Sequence, residues 1–145
     1  MKDNMDPLST TASIIAIIQL SSDVVSYVSG ATGATKERMR LRDEVLACEL
    51  VLQQLKDDVH DTEEGKKWSE TIKILEASDA PLGRLWAALS VIRVKLEPKK
   101  GLKKALSTLK WPFDEKEVEK IISAIEREKT LLELALTNNC RYVRP

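Results

Sequence analysis

Residues 36–60 read KERMRLRDEVLACELVLQQLKDDVH, and within them Leu41, Val45, Cys48, Leu52, Leu55 and Val59 follow one another at intervals of 4, 3, 4, 3 and 4. On a helix of 3.6 residues per turn that spacing holds all six side chains on one seam and leaves the charged residues on the remaining surface. Such a stripe cannot stay in water, so the stretch predicts one member of a helical bundle.

Toward the N-terminus, residues 6–30 read DPLSTTASIIAIIQLSSDVVSYVSG. Asp6 followed by Pro7 is a helix-start pattern, an acceptor before a proline in the first turn. The glycines of Gly30-Ala31-Thr32-Gly33 predict the end of that helix near Ser29. At 100° steps Ile14, Ile17, Ile18, Leu20, Val24, Val25, Tyr27 and Val28 gather into about half the circumference. Thr11, Gln19, Ser22, Asp23 and Ser26 fill the other half, with Leu8 and Ile15 intruding. Asp23 is the one charge between Pro7 and Thr35, although 32% of the whole chain is charged.

Toward the C-terminus, Asp61 and Glu64 have capping-box spacing and open a third segment with Trp68, Ile72 and Leu75 on one side. Pro81 sits in the first turn of a fourth, whose Leu82, Leu85, Leu89, Ile92 and Leu96 are spaced 3, 4, 3 and 4 with Trp86 beside them. Pro98 closes it. A short basic helix is predicted over residues 100–109, with Leu102, Leu106 and Leu109 as apolar contacts, running into Trp111-Pro112-Phe113. Asp114 and Glu117 then form a second capping box while Phe113 and Val118 occupy the positions of a hydrophobic staple. The last helix is therefore predicted from Glu115 to about Thr137, with Val118, Ile121, Ile122, Ile125, Leu132, Ala135 and Leu136 on its core side and Asn138-Asn139 ending it.

Together these segments describe an all-α chain, an antiparallel bundle of four long helices plus one short basic helix. Its 145 residues, 43% of them hydrophobic, match one domain with one core. Residues 1–5 read as a flexible start and residues 138–145 as the start of a linker, so the sequence is expected to be the N-terminal part of a longer chain. Two isolated cysteines, Cys48 in the seam and Cys140 near the end, fit neither a disulfide framework nor a metal site. They point to a reducing, cytosolic setting, and Asp3 and Asp6 ahead of the apolar run argue against a secretory signal.

Chemistry-bearing residues are sparse. His60 is the only histidine, and it falls at a helix end. No glycine-rich phosphate loop or paired metal-ligand spacing occurs. Asp57, Asp58, Asp61, Glu63 and Glu64 lack the glycine and spacing of a calcium loop. We therefore expect no enzyme, no cofactor and no metal. Formal net charge is zero, but its distribution is uneven. Residues 57–80 hold eight acids against three bases, and residues 93–110 hold seven bases against Glu97 alone. Lys95, Lys99, Lys100, Lys103 and Lys104 read as a solvated face or as a contact for anionic lipid or an acidic partner. Neither a recognition helix nor an aromatic platform accompanies them, which argues against nucleic acid.

Two readings account for the near-neutral first helix. In one it is a central bundle element, buried over most of its surface. In the other its length matters: residues 8–28 span about 30 Å as a helix, the thickness of a bilayer's hydrocarbon core. Leu8, Ile14, Ile15, Ile17, Ile18, Val24, Val25 and Val28 are then the membrane-insertion residues.

The opening DPLSTTASIIA (6–16), Arg42-Asp43-Glu44-Val45-Leu46 with the following Leu52-Gln53-Gln54-Leu55, and Leu106-Ser-Thr-Leu-Lys-Trp-Pro-Phe113 ahead of Glu117 resemble the N-terminal, HeLo-like helical domain of fungal STAND (NLR-like) receptors. The likeness covers nearly the whole chain, and Lys110-Trp111-Pro112-Phe113 followed by Glu117 is its most specific part. The resemblance implies a helical effector placed ahead of nucleotide-binding and repeat domains. It also implies self-association on activation, relocation from cytoplasm to membrane and cell death by permeabilisation, with no catalytic residues. Asp23 departs from a purely apolar insertion segment and needs a lumen or an interface.

Overall fold

The computed structural model describes residues 10–60, 74–75, 77–97 and 110–143. Four long helices make up the described chain: α1, Thr10–Gly30; α2, Thr35–His60; α3, Pro81–Leu96; and α4, Glu115–Val143. The all-α class is as the sequence predicts. The expected start at Asp6-Pro7, most of the third segment, including Trp68 and Ile72, and the short basic helix lie outside the described residues.

The α2 seam is the spine of the core. Leu41, Val45, Cys48, Leu52 and Leu55 are fully buried, as are Leu82, Leu85, Leu89 and Ile92 of α3. Helix α4 adds Val118, Ile125 and Leu132, with Ile121, Ile122, Ala135 and Leu136 partly buried against the same cluster. Helix α1 packs on α2 and α3, and α4 packs on α2 and α3, so α1 and α4 are diagonally opposed, as are α2 and α3.

Cross-helix contacts set the directions. Arg40 meets Glu119 and Lys129 meets Glu44, so residue numbers rise together and α2 runs parallel to α4. Arg84 meets Glu128 and Lys95 meets Glu117, numbers that run oppositely, so α3 is antiparallel to α4. Two antiparallel hairpins, α1–α2 and α3–α4, therefore lie side by side, and their junction includes a parallel pair. A fully antiparallel bundle places α1 beside α4; here the 20 residues from 61 to 80 separate α2 from α3 and permit the diagonal step.

The α1–α2 hairpin turns through Gly33, at φ 87°, and Ala34, at φ 45°. The glycine adopts this left-handed region freely, whereas the alanine's Cβ makes it cost about 1–2 kcal/mol. Arg38 ties the turn together: its Nε donates to the Gly33 carbonyl at 2.7 Å and its Nη1 to the Val28 carbonyl at 3.1 Å. A guanidinium on the Val28 carbonyl, in the last turn of α1, also offsets the negative pole of that helix.

A backbone bond links the two hairpins at the same end, Trp111 N–H donating to the Thr32 carbonyl at 2.8 Å. Trp111 and Phe113 are buried edge to face, with centroids 5.1 Å apart. Helix α4 starts at Glu115 because the expected capping box forms: Glu117 N–H donates to Asp114 Oδ1 at 2.8 Å and Asp114 N–H to Glu117 Oε1 at 2.9 Å. Buried Val118 and Phe113 complete the staple.

Helix α4 outruns its predicted end. It continues past Thr137 and Asn138-Asn139 to Val143, so residues 138–143 are helical where a linker was expected. Thr137 turns its hydroxyl back to the Glu133 carbonyl at 3.0 Å, inside the helix. No glycine follows to supply the left-handed residue that commonly stops a helix.

One core position of α4 is an acid. Glu128, only 4% exposed, accepts a 2.9 Å bond from Arg84 Nε. Arg84 Nη1 also donates to the Asp79 carbonyl, which anchors the turn ahead of α3. The Glu128 bond is the largest influence holding the Arg84 guanidinium in its charged form. Helix α4 is thus tied ionically to α3 through Glu128 and to α2 through Lys129 and Glu44, 3.1 Å apart.

Candidate functional site

Helix α1 is the candidate. The structure divides its circumference nearly as the sequence predicts: Ile14, Ile17, Ile18, Leu20, Val24 and Val28 are buried, and Val25 and Tyr27 pack partly against the core. Ile15 is the exception among the described insertion residues. It is 41% exposed and shares the outer face with Gln19, Ser22 and Ser26. Leu8 lies outside the described residues.

Burial does not explain why this helix has so few charges. Only 44% of the window Ser13–Gly30 is buried, which overturns the expectation of an element enclosed on most of its surface. Its outward face is Ile15, Ala16, Gln19, Ser22, Asp23, Ser26 and Ser29, a water-facing surface with one charge. The outward faces of the other long helices are different in kind. On α4, for example, Glu115, Lys116, Glu119, Lys120, Glu126, Arg127 and Glu133 are all exposed.

Ser13–Gly30 has a mean hydropathy of 1.3 and is long and apolar enough to cross a membrane, a test that the core helix of a soluble protein also passes. Its inward polar groups need no partner from another helix where they can turn back on their own. The buried Ser21 hydroxyl does so, donating to the Ile17 carbonyl at 3.0 Å. Asp23 is half-exposed, and its Oδ2 lies 4.0 Å from Arg93 Nη1 on α3. Between two side chains so open to water, that pair is worth at most about 1 kcal/mol.

Of the basic cluster, only Lys95 is among the described residues; Lys99, Lys100, Lys103 and Lys104 are not. Lys95 is engaged within the fold. Its Nζ stands 5.5 Å from the centre of the Phe113 ring and 4.0 Å from Glu117, so its first role is to hold the end of α3 on the Trp111–Phe113 element.

A second surface escaped the sequence reading. Parallel α2 and α4 enclose an open groove of about 600 Å³ floored by Val51 and Leu136, with Leu50, Gln54, Glu133 and Thr137 on its walls. Leu50 is 72% exposed, a large apolar side chain standing in water. Its position two places from both Cys48 and Leu52 of the α2 seam signals an outward residue, but its neighbour on α4 depends on the parallel pairing, which no local pattern encodes.

Cys48 lies beneath the α2–α4 contact. Burial, reinforced by the Glu44 carboxylate, pushes its thiol up to about 12, so it stays protonated and unreactive at neutral pH. Among the described residues no three His, Cys, Asp or Glu side chains are grouped to hold a metal ion. Comparison with family models, with curated proteins and with solved structures finds no match to this chain.

Proposed function

We propose that this domain is a regulated membrane-permeabilising effector whose moving part is α1. It stays folded as a bundle until self-association releases that helix into a bilayer, in the manner that the resemblance to HeLo-like domains implies. The observation that carries the reading is the outward face of α1, which is exposed to water yet carries only Asp23. A helix that had only to pack in a soluble bundle gains solubility from charges on that face and loses nothing by them. A helix that must also enter hydrocarbon is penalised by about 2.5–3.5 kcal/mol for each one.

The energetics of exchange are favourable for the same reason. Release of α1 takes Ile14, Ile17, Ile18, Leu20, Val24 and Val28 out of the core. At about 1.5–3 kcal/mol each, re-exposing six such side chains to water costs on the order of 9–18 kcal/mol. Oil restores that burial, so the helix leaves the bundle only where lipid is there to receive it. The basic residues 99–104 then favour an anionic surface, and nucleotide-binding and repeat domains further along a parent chain are the proposed controllers of assembly. The setting is cytoplasm before activation and membrane after it.

Dye release from anionic liposomes by the assembled domain tests the reading. Leakage that requires assembly is expected, and an assembled domain that leaves vesicles intact rejects it. The groove beside Leu50 favours a second reading, a helical adaptor that binds protein and never enters lipid. That reading predicts complex formation without leakage.

A further inference from the structure

The two hairpins are each bound tightly within themselves. Only residues 31–34 lie between α1 and α2, and Arg38 of α2 braces that joint by donating to the Val28 carbonyl of α1 and the Gly33 carbonyl of the turn. The packing of α1 on α2 is also the most extensive between any two of the helices. Helix α3 is fastened to α4 at both ends. Arg84 bonds buried Glu128 near its start, and Lys95 stands beside Glu117 and the Phe113 ring near its finish.

Between the hairpins the polar ties gather toward one end. There Trp111 N–H bonds the Thr32 carbonyl. Arg40 with Glu119, Glu44 with Lys129 and Asp23 with Arg93 follow from that end, and none of these residues lies beyond the middle of its helix. Farther along, the seam between α2 and α4 is not closed: it is the open groove lined by Leu50, Gln54, Glu133 and Thr137. Two helices that meet at Glu44 and Lys129 thus leave about 600 Å³ between them within the next three turns. The gap is a wedge, closed toward Trp111 and open at the far end. The connection from α2 to α3, 20 residues long, is long enough to span the two ends as they separate.

We infer that the bundle opens as a hinge, the α1–α2 hairpin swinging as one body away from α3–α4 about the Trp111–Thr32 end, with parting begun at the groove. Hinge motions of this kind move packed elements as units and are absorbed by a few residues at their ends. The movement bares the flank of α1 that faces α3 while α2 still backs it. It bears on how α1 becomes uncovered, yet it rests on the fold alone. It is therefore tested without lipid, and dye release judges the membrane reading separately.

Cys48 is the built-in reporter, because it is buried beside Glu44 and Lys129 and its thiol is reached only when that seam opens. In lipid-free buffer, alkylation of Cys48 by excess iodoacetamide is followed by mass spectrometry of its peptide. The opening constant so obtained is set beside the global unfolding constant from denaturant titration. The Cys140→Ser chain is compared with two locked forms built on it with a short bifunctional thiol reagent. One joins Asp23→Cys to Arg93→Cys across the opposite seam, and the other joins Gln54→Cys to Glu133→Cys across the groove. All four positions are exposed or half-exposed, and circular dichroism confirms each fold.

The unlocked chain is expected to open at least tenfold more often than it unfolds. Either lock should remove that excess, so that labelling falls to the level set by global unfolding of the locked form. The inference is overturned if Cys48 of the unlocked chain reacts only as fast as global unfolding allows. It is equally overturned if the lock between positions 23 and 93 leaves the excess in place, since α2 or α4 then moves by itself, or if the lock across the groove does so.

Discussion

Asp23→Asn separates the two roles of α1 because it changes one of them alone. In the bundle the carboxylate is half-exposed, 4.0 Å from an equally open Arg93, so its loss costs under about 1 kcal/mol of stability. In hydrocarbon an ionised carboxylate costs about 2.5–3.5 kcal/mol, and an amide about 1–3. The difference, on the order of 1 kcal/mol, is about a fivefold gain in partitioning. Ser22→Lys with Ser26→Lys works in the opposite sense. Both serines are exposed, so each change moves stability by no more than about 0.5 kcal/mol, yet the pair adds about 5–7 kcal/mol to insertion. The assay is the protein concentration giving half-maximal dye release from anionic liposomes, read beside thermal unfolding. Asn at position 23 should lower that concentration about fivefold, and the lysine pair should abolish release with the bundle intact. Coincident release curves for the wild type and both variants, all folded, would refute the reasoning.

Three further outcomes follow from the fold. Ala34→Gly relieves a left-handed alanine at φ 45° and should raise stability by about 1 kcal/mol in denaturant unfolding. Gly83→Ala should lower it by about 1–3 kcal/mol, because a Cβ there meets the Ala77 carbonyl oxygen at 2.1 Å and the Ser78 Cα at 2.8 Å, backbone atoms that must shift to admit it. Cys48 should make stability fall with alkali. Its folded value is raised from 9.0 to about 12, so its contribution is whole below pH 9 and is lost between about 9 and 12, at about 1.4 kcal/mol per pH unit. The difference in unfolding free energy between the wild type and Cys48→Ala, followed from pH 8 to 11, should show that slope.

What could be read in advance was local. The α2 seam, the α3 stripe and the capping box of α4 are each specified by residues within a few turns of one another, and all appear as expected. The end of α4 was misplaced because Asn138-Asn139 permits a stop without compelling one. Glu128 was passed over, since a lone acid between Ile125 and Leu132 looks like an interruption until Arg84, 44 residues earlier, is seen to satisfy it. The parallel α2–α4 contact, and with it the groove, follows from the order of helices around the bundle. That order rests on contacts far apart in sequence, such as Trp111 with Thr32. For α1 the stripe was evident from spacing; the structure adds that its outer half stands in water and still lacks charge.

The central claim is that α1 must leave the bundle to act on a membrane, and a reversible lock tests it most directly. Asp23 and Arg93 face one another across α1 and α3, so cysteines at both positions can be joined by a reducible bifunctional reagent. Cys140→Ser removes the competing thiol, and Cys48 is buried and stays protonated. Dye release from anionic liposomes by the assembled, locked protein is predicted to be absent and to return in full on reduction. Undiminished release with the lock intact contradicts the account.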